Sequence, residues 1–229
     1  MSDRRLLQKD KTEGGPVTYD RKNIHSFFDI LAHRDYDLKQ IVSDYGYPKP
    51  LYREPSFDSL IRLILEQQVS LLSAKAAYLQ LRKRIKMVTP QSILDLGEEE
   101  LRRCYFSRQK AGYAIALSKS ILDGDLDLPG LRHKSDEDVR ADLVRIKGIG
   151  PWTADSYILL CLRRTDIFPV GDIALINSIR KHKKLSSRMT VKGILKMSEL
   201  WKPYRSLATF LFWHAYLVER NIDIADLAY

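Results

Sequence analysis

The sequence predicts an all-α fold, and three observations support this prediction. Apolar residues recur at helical spacing through most of the chain. Serine, threonine or aspartate stands directly before many of these segments, where helix N-caps belong. Signals for β-strands are few, and no internal repeat is visible. We therefore expect helices that are joined by short turns.

Length and composition indicate a folded protein with a sizeable core. The chain has 229 residues, enough for one large domain or for two small ones that share a core, and 45% of its residues are hydrophobic. Residues 1–18 are polar, charged and glycine-containing, which predicts a flexible lead-in. The folded domain is expected over residues 19–229.

Charge and cysteine content restrict the class of partner and the compartment. The net charge of +9 and a pI near 9.4 favour a polyanionic partner. Cys104 and Cys161 lie far apart and lack metal-ligand spacing, so we expect reduced, buried thiols. There is no signal peptide and no long uncharged apolar run, so neither secretion nor a membrane is expected. These features predict an intracellular protein, in the cytoplasm or nucleoid, or in the nucleus of a eukaryote.

Three helices are predicted in the first part of the chain, two before a connector and one after it. Residues 21–32 have apolar side chains at helical spacing, and residues 37–45 form a second predicted helix. Three prolines mark residues 47–55 as the connector. Ser56 is then expected to cap a helix over residues 57–68, whose apolar side chains share one face.

Further N-caps divide the middle of the chain. Ser70, Thr89 and Ser107 each precede a predicted helix. The helix after Ser70 is expected over residues 72–86, and the helix after Ser107 is expected to end before Gly124. Two basic residues at the start of the latter helix are either phosphate contacts or solvated surface charges: Arg108 and Lys110.

Residues 136–163 predict a helix-hairpin-helix. Ser135 resembles the start of a capping box for the first helix. The turn Lys147-Gly148-Ile149-Gly150 follows, and Pro151 suits the first position of the second helix. Two glycines allow positive φ and close approach to another molecule, and their free N–H groups at a helix start form an anion site. We expect that anion to be a DNA phosphate.

Asp172 stands twenty-two residues after Gly150. A helix from Pro151 to about residue 163 would carry the chain roughly 18 Å away. The extended, proline-containing segment of residues 165–170 can bring it back, because a residue before proline avoids the α region. The Asp172 carboxylate is therefore expected near the hairpin. It also suits the N-cap of the next helix, and the two roles are compatible.

These residues resemble the signature of a known enzyme superfamily. The hairpin glycines, Pro169, Gly171 and Asp172 stand at the signature positions of the helix-hairpin-helix–Gly/Pro–Asp superfamily of DNA glycosylases, which the sequence resembles. The resemblance implies two helical subdomains that flank a DNA-binding cleft. Residues 72–163 would form one, and the N- and C-terminal helices the other. It also implies that Asp172 is the catalytic carboxylate.

Two segments are similar to 3-methyladenine DNA glycosylases of the bacterial type II class, without the N-terminal β-domain of longer relatives. They are the string FDSLIRLILEQQVSLLSAKAA, residues 57–77, and residues 201–206 before the last, aromatic helix. The similarity implies that Gln67, Gln68 and Ser70 lie against the minor groove, with Gln68 inserted into the gap left by the flipped nucleotide. Taken alone, this stretch is an ordinary polar turn between helices.

The resemblance also implies the chemistry of the pocket. A cationic alkylated purine leaves readily, so the enzyme needs an aromatic slot and a carboxylate beside the developing sugar cation. Trp152 and Trp213 stand at pocket positions, although core packing is the usual role of a tryptophan. Some relatives have an aromatic residue where this chain has Ser156; we expect the neighbouring Tyr157 to contribute to the pocket.

Other expectations concern DNA, metals and the reaction type. DNA contacts are expected from three further positions besides the hairpin glycines: Lys147, Ile149 and Thr153. Bifunctional relatives carry a lysine where this chain has Trp152, so the resemblance implies a monofunctional hydrolase. Two cysteines cannot hold the [4Fe–4S] cluster of some relatives. No cofactor is required and no side chains are expected to bind a metal; whether the hairpin carbonyls hold Na⁺ or K⁺, as in relatives, stays open.

We expect a monomer that acts on double-stranded DNA containing alkylated bases. Two alternatives stay open: a glycosylase for oxidised or deaminated bases, and a DNA-binding module without catalysis. The basic run of residues 180–184 either forms a solvated face or adds non-specific DNA affinity.

Overall fold

The prediction of an all-α fold is confirmed for residues 16–49 and 51–223, which a computed structural model describes. In these ranges no β-strand forms, and extended backbone is paired only at an isolated antiparallel bridge between Thr18 and Arg164. The α-helices, in chain order, are α1 (Ile24–Arg34), α2 (Tyr36–Tyr45), α3 (Phe57–Glu66), α4 (Leu71–Arg84), α5 (Pro90–Arg103), α6 (Arg108–Leu122), α7 (Asp136–Val144), α8 (Pro151–Leu160), α9 (Ile173–His182), α10 (Val191–Met197) and α11 (Arg205–Val218).

Side-chain caps start the helices where the sequence predicts them. Each predicted capping side chain accepts a hydrogen bond from the backbone N–H three residues later, which satisfies one of the unpaired donors of the first turn. The residues that do so are Ser56, Ser70, Thr89, Ser107, Ser135 and Asp172.

Several predicted helix bounds were wrong by two or three residues: the helix predicted over residues 72–86 ends at Arg84, and that predicted over residues 21–32 spans Ile24–Arg34. Two further ends coincide with left-handed residues. The helix expected over residues 57–68 ends at Glu66, because Gln67 is extended (ψ 124°) and Gln68 adopts a left-handed backbone (φ 54°). The second hairpin helix ends at Leu160 rather than at residue 163. There the N–H of Leu162 reaches back to the carbonyl of Tyr157, and Arg163 is left-handed (φ 57°). Left-handed residues outside glycine are uncommon, and sequence patterns do not mark them.

The helices pack as two groups. α1 and α2 pack on each other and on α11, and α9 packs on α11. α3 packs on α4, α6 and α8, and α7 packs on α8. α3 contacts several helices because residues on successive sides of it, Leu63, Ile64 and Leu65, are all buried. The predicted subdomain bounds, with residues 72–163 on one side of the cleft, stay a prediction.

Helix α8 is buried from Thr153 to Leu160, so it is enclosed on all sides, and its buried carboxylate, Asp155, is paired with Arg140 at 2.7 Å. The chain start is attached near its C-terminal end. Tyr19 donates its hydroxyl to the carbonyl of Leu159 at 2.7 Å, and Thr165 donates its N–H to the carbonyl of Val17. Of the predicted lead-in, residues 1–15 lie outside the described residues, whereas residues 17 and 18 are bonded to the domain. No described helix is long and apolar enough to cross a bilayer.

Candidate active site

A cleft of about 1950 Å³ opens between the hairpin and the last helix. It is larger than the ~300–1,000 Å³ of small-molecule pockets, so its size suits a macromolecule. Most of its wall comes from four stretches: the segment around α3 and its following turn, the hairpin, residues 171–174, and the C-terminal half of α11 with the residues after it. Tyr113 of α6 also lines the cleft. The cleft therefore contains residues that are far apart in the sequence.

The Asp172 carboxylate faces this cleft and is held by three N–H groups. Trp152 Nε1 donates to Oδ2 at 2.9 Å, and Trp213 Nε1 donates to Oδ1 at 3.1 Å. The backbone N–H of Leu175 also donates to Oδ1, at 2.7 Å, which is the helix cap. Because each oxygen has an indole donor, the carboxylate has a defined orientation while its side chain stays partly exposed.

A tight turn delivers this aspartate to the hairpin. The N–H of Val170 donates to the carbonyl of Phe168, and the N–H of Asp172 donates to the carbonyl of Pro169. Gly171 lies beside Trp152, where an added Cβ would stand 3.7 Å from the tryptophan Cβ. The chain thus returns to the start of α8, as the extended segment predicts.

The three tryptophans have two different environments. Trp213 is partly exposed at the cleft, and its ring packs edge-on against Phe210 with centroids 5.9 Å apart. Trp152 is likewise partly exposed. Trp201 is fully buried and donates Nε1 to Asp35 Oδ2 at 2.7 Å. Trp201 therefore has the usual core-packing role of a tryptophan, whereas Trp213 packs against the core with part of its ring and, like Trp152, directs its N–H at Asp172.

Tyr157 does not line the cleft, which corrects the prediction for this residue. Its side chain is fully buried, and burial raises the pKa of its phenol above the ordinary range. Ser156 lines the cleft instead. The reason is helical geometry: Ser156 follows Trp152 by four residues and shares its face, whereas Tyr157 is turned a further ~100° away.

The hairpin turn is seated against helix α6. Gly148 has φ 97°, and a Cβ there would lie 2.0 Å from the ring of Tyr113. The amide N–H groups of Gly148 and Gly150 donate to no acceptor within the described protein. Lys147 beside them is exposed. The turn thus presents unpaired donors and a cation, as an anion site requires.

The predicted DNA-contacting residues divide into exposed and buried ones. Gln68 and Ser70 are exposed at the cleft edge. The side chains of Ile149 and Thr153 are only 3% and 1% exposed, so contact through these side chains is not supported. Ile149 anchors the turn in the core. Gln67 donates its amide to the hairpin, and that contact makes it a support rather than a free ligand.

Intramolecular contacts hold most of the basic run of residues 180–184. Lys183 pairs with Asp35 at 2.7 Å, and Lys181 pairs with Glu219 at 2.8 Å. Arg180 donates to the carbonyl of Met189. Burial lowers the pKa of His182, which favours its neutral form. These contacts favour a structural role for the run over additional DNA affinity.

We expect Gly148→Ala to destabilise the protein more than Gly124→Ala. Both glycines have positive φ (97° and 81°), but an added Cβ at Gly124 meets nothing within 4 Å. Strain alone should cost about 1 kcal/mol at either position. Contact with the Tyr113 ring should add roughly 1–3 kcal/mol at Gly148. Thermal unfolding of both variants measures the difference, and equal losses would show that the hairpin does not depend on this close approach.

Comparison with known proteins gives one family and several relatives. Residues 61–203 match the HhH-GPD superfamily of base excision DNA repair proteins. The putative DNA-3-methyladenine glycosylase YfjP of Bacillus subtilis is 39% identical over 126 residues, which cover 55% of this chain and 44% of that protein. A second B. subtilis protein, named DNA-3-methyladenine glycosylase, is 32% identical over 131 residues, or 57% of this chain and 41% of that one.

Solved structures show the same fold. The Schizosaccharomyces pombe 3-methyladenine DNA glycosylase Mag1, in complex with abasic DNA, superposes with a TM-score of 0.76 and 27% identity. The match covers 82% of this chain and 95% of that one. By contrast, the matched region spans less than half the length of the two B. subtilis relatives.

Proposed function

The chain belongs to the HhH-GPD superfamily of base excision DNA repair proteins, and we propose that it is a monofunctional DNA glycosylase that removes alkylated purines of the 3-methyladenine kind. One observation carries this proposal. In a cleft bordered by the hairpin, Trp152 and Trp213 both donate their indole N–H groups to Asp172. A module that only grips the DNA backbone needs neither the acid nor the two aromatic rings. The names and fold of the relatives support the same function.

The duplex would be held by its backbone and entered from the minor groove. The free amides of Gly148 and Gly150 and the ammonium of Lys147 suit a phosphate next to the lesion. Gln68, exposed at the tip of the turn after α3, would enter the gap left by the flipped nucleotide. The flipped base would then lie in the cleft between the two tryptophan side chains.

The bond that breaks joins the damaged base to C1′ of the sugar. The base leaves with the bonding electrons, and because an alkylated purine is cationic it leaves as a neutral ring without a protein acid. The positive charge left on the sugar develops beside Asp172, whose fixed carboxylate stabilises it electrostatically. A water molecule adds at C1′ and loses its proton to solvent. The products are a free base and an abasic site.

The aromatic rings also favour a cationic base. Attraction between a cation and an indole face is worth about 0.5–2 kcal/mol, more when the site is desolvated. Trp152 and Trp213 direct their N–H edges at Asp172, and a base in the cleft would meet the part of each ring that stays exposed. We infer that this arrangement selects alkylated purines over neutral oxidised bases.

We propose that no lyase step follows. A Schiff base requires a lysine beside the sugar, and Trp152 occupies the position where bifunctional relatives have one. Lys147, on the hairpin turn, is the only lysine among the described residues that line the cleft. Lys110 is engaged with the carbonyl of Leu65 at 2.6 Å.

No cofactor enters the proposed reaction. Within the described ranges, no cluster of His, Cys, Asp or Glu side chains is arranged to hold a metal ion. The hairpin carbonyls of Ile146 and Gly148 each accept a protein N–H. A Na⁺ or K⁺ ion on the hairpin would share these oxygens, and its role would be to support the turn. We propose that the protein acts as a monomer on the double-stranded DNA of the cell.

A base-release assay tests the proposed function. Methylated duplex DNA and a duplex that contains deoxyinosine are incubated with the protein, and the released 3-methyladenine, 7-methylguanine, 1-methyladenine and hypoxanthine are resolved. We expect 3-methyladenine to appear, with the DNA strand uncut until alkali is added and with no adduct trapped by borohydride. A trapped adduct would refute the monofunctional reaction. Release of hypoxanthine alone would overturn the base class, and DNA binding without any release would leave only a DNA-binding module.

A further inference from the structure

We propose that Gln67 and Lys110 are positioning residues that fasten the wedge turn, residues 67–70, to the hairpin, so that the two DNA-contacting elements move as one body. The proposal rests on the proposed function, in which the wedge turn enters the duplex and the hairpin holds its backbone. It gives Gln67 a role different from DNA contact: its amide acts inside the protein.

The Gln67 amide joins the two elements directly. Its Nε2 donates to the carbonyl of Gly148 at 2.8 Å and to Thr153 Oγ1 at 2.9 Å. A backbone carbonyl can only accept, so the amide nitrogen, and not the amide oxygen, must face Gly148. Both hydrogens of that nitrogen are thereby used within the protein. Gly148 belongs to the hairpin turn and Thr153 to the first turn of α8, so the bonds span both parts of the hairpin.

The backbone after Gln67 needs such support. Gln68 has a left-handed φ of 54°, which is disfavoured for a residue with a side chain. Strained residues of this kind persist where the surroundings hold them. Gln67 holds one side of Gln68, and Ser70 holds the other by accepting the N–H of Ser73 at 3.2 Å. The exposed tip between these anchors, Gln68 and Val69, is the part available to enter a duplex.

Helix α6 supports both elements from beneath. Lys110, in its first turn, donates Nζ to the carbonyl of Leu65 at 2.6 Å, at the C-terminal end of α3 where a cation is favourable. Tyr113, one turn later, lies against Gly148. One helix therefore carries the wedge turn through Lys110 and the hairpin through Tyr113, and the Gln67 amide closes the link between them. Lys110 is thus a support within the protein, and not the phosphate contact that its position in the sequence allows.

The hydrogen bonds of Gln67 and Lys110, which we call the clamp, matter most when a paired base must be displaced. If the turn is held in place before binding, no ordering of the turn opposes base flipping. A lesion without a pairing partner needs less help, since unpaired bases flip more easily. Loss of the clamp should therefore slow release from a paired lesion more than release from an unpaired one.

The test compares Gln67→Leu with the wild-type protein in single-turnover base release. One substrate is a duplex with 3-methyladenine opposite thymine; the other places the same lesion opposite an abasic-site analogue. Removing two hydrogen bonds should slow release from the paired lesion about tenfold, with a smaller change for the unpaired lesion. Lys110→Met removes the bond to the carbonyl of Leu65, before the wedge turn, and should likewise slow release from the paired lesion more than from the unpaired one. Gln91→Leu, at an exposed amide bonded to Asp95 outside the cleft, should change neither rate.

Hydrogen exchange separates failure of the clamp from failure of the proposed function. We expect Gln67→Leu to speed exchange of the backbone amides of residues 67–70 and 146–150, whether or not the protein is active. If the wild-type protein releases no base from either substrate, the proposed function fails, and faster exchange still supports the clamp. Unchanged exchange in a folded variant would overturn the clamp. Equal slowing on both substrates would also overturn it, as it would show a defect in the chemical step.

Discussion

Asp172→Asn abolishes base release while leaving the fold and the binding of damaged DNA close to those of the wild-type protein. The substitution removes the negative charge that faces the developing sugar cation. Loss of one preorganised electrostatic contact typically costs ~10²–10³ in rate, and we expect at least this loss here. Asparagine caps a helix about as well as aspartate, so its amide oxygen still accepts from the N–H groups of Leu175 and Trp213. Its amide nitrogen replaces the oxygen that accepts from Trp152, and because that nitrogen only donates, this bond is lost. Single-turnover release and DNA-binding titrations measure the two effects separately.

The control for this prediction is Asp125→Asn. Asp125 is exposed and does not line the cleft, so the same change of charge should leave release unaltered. Near-normal release by Asp172→Asn would remove the acid from the mechanism. Loss of DNA binding together with release would instead show that Asp172 supports the fold of the cleft.

Trp152→Phe and Trp213→Phe each slow base release about 10–100-fold, because each removes one hydrogen bond to a charged group, worth roughly 1.5–3 kcal/mol. An aromatic ring stays in place in both variants, so a face for the base is kept. The loss should therefore fall on the single-turnover rate more than on the concentration of DNA needed for half-saturation. The double variant leaves both carboxylate oxygens without an indole donor and should be slower than either single one.

Trp201→Phe is the matched control, since it deletes an indole N–H that also donates to a carboxylate. That carboxylate is Asp35, the N-cap of α2, and Trp201 is fully buried. The variant should lower the midpoint of thermal unfolding and leave release by the folded protein near normal. If all three variants lost activity in proportion to their stability, the indole N–H groups at Asp172 would have no special part in the reaction.

Much of the local structure was available from short stretches of sequence. The capping residues, the hairpin turn and the return of the chain to Asp172 follow from local signals, such as a serine or aspartate three positions before the N–H that it caps. Two of the wrongly predicted helix ends lie where the backbone leaves the ordinary regions, at Gln68 and Arg163. At those positions contacts from elsewhere in the protein hold a conformation that the residue type disfavours.

The chain's own pattern was sufficient for an all-α fold, a hairpin with free amides and an acid at a helix start, because helical periodicity, caps and glycine turns act over one or two turns of backbone. Long-range packing settled which side chains share the cleft. It turned Ser156 rather than Tyr157 towards it, and aimed the indole N–H groups of Trp152 and Trp213 at one carboxylate. Gln67 meets Gly148 across 81 residues, a distance at which no local signal acts. Such partners become neighbours only when buried helices such as α8 pack, and that packing depends on the whole core at once.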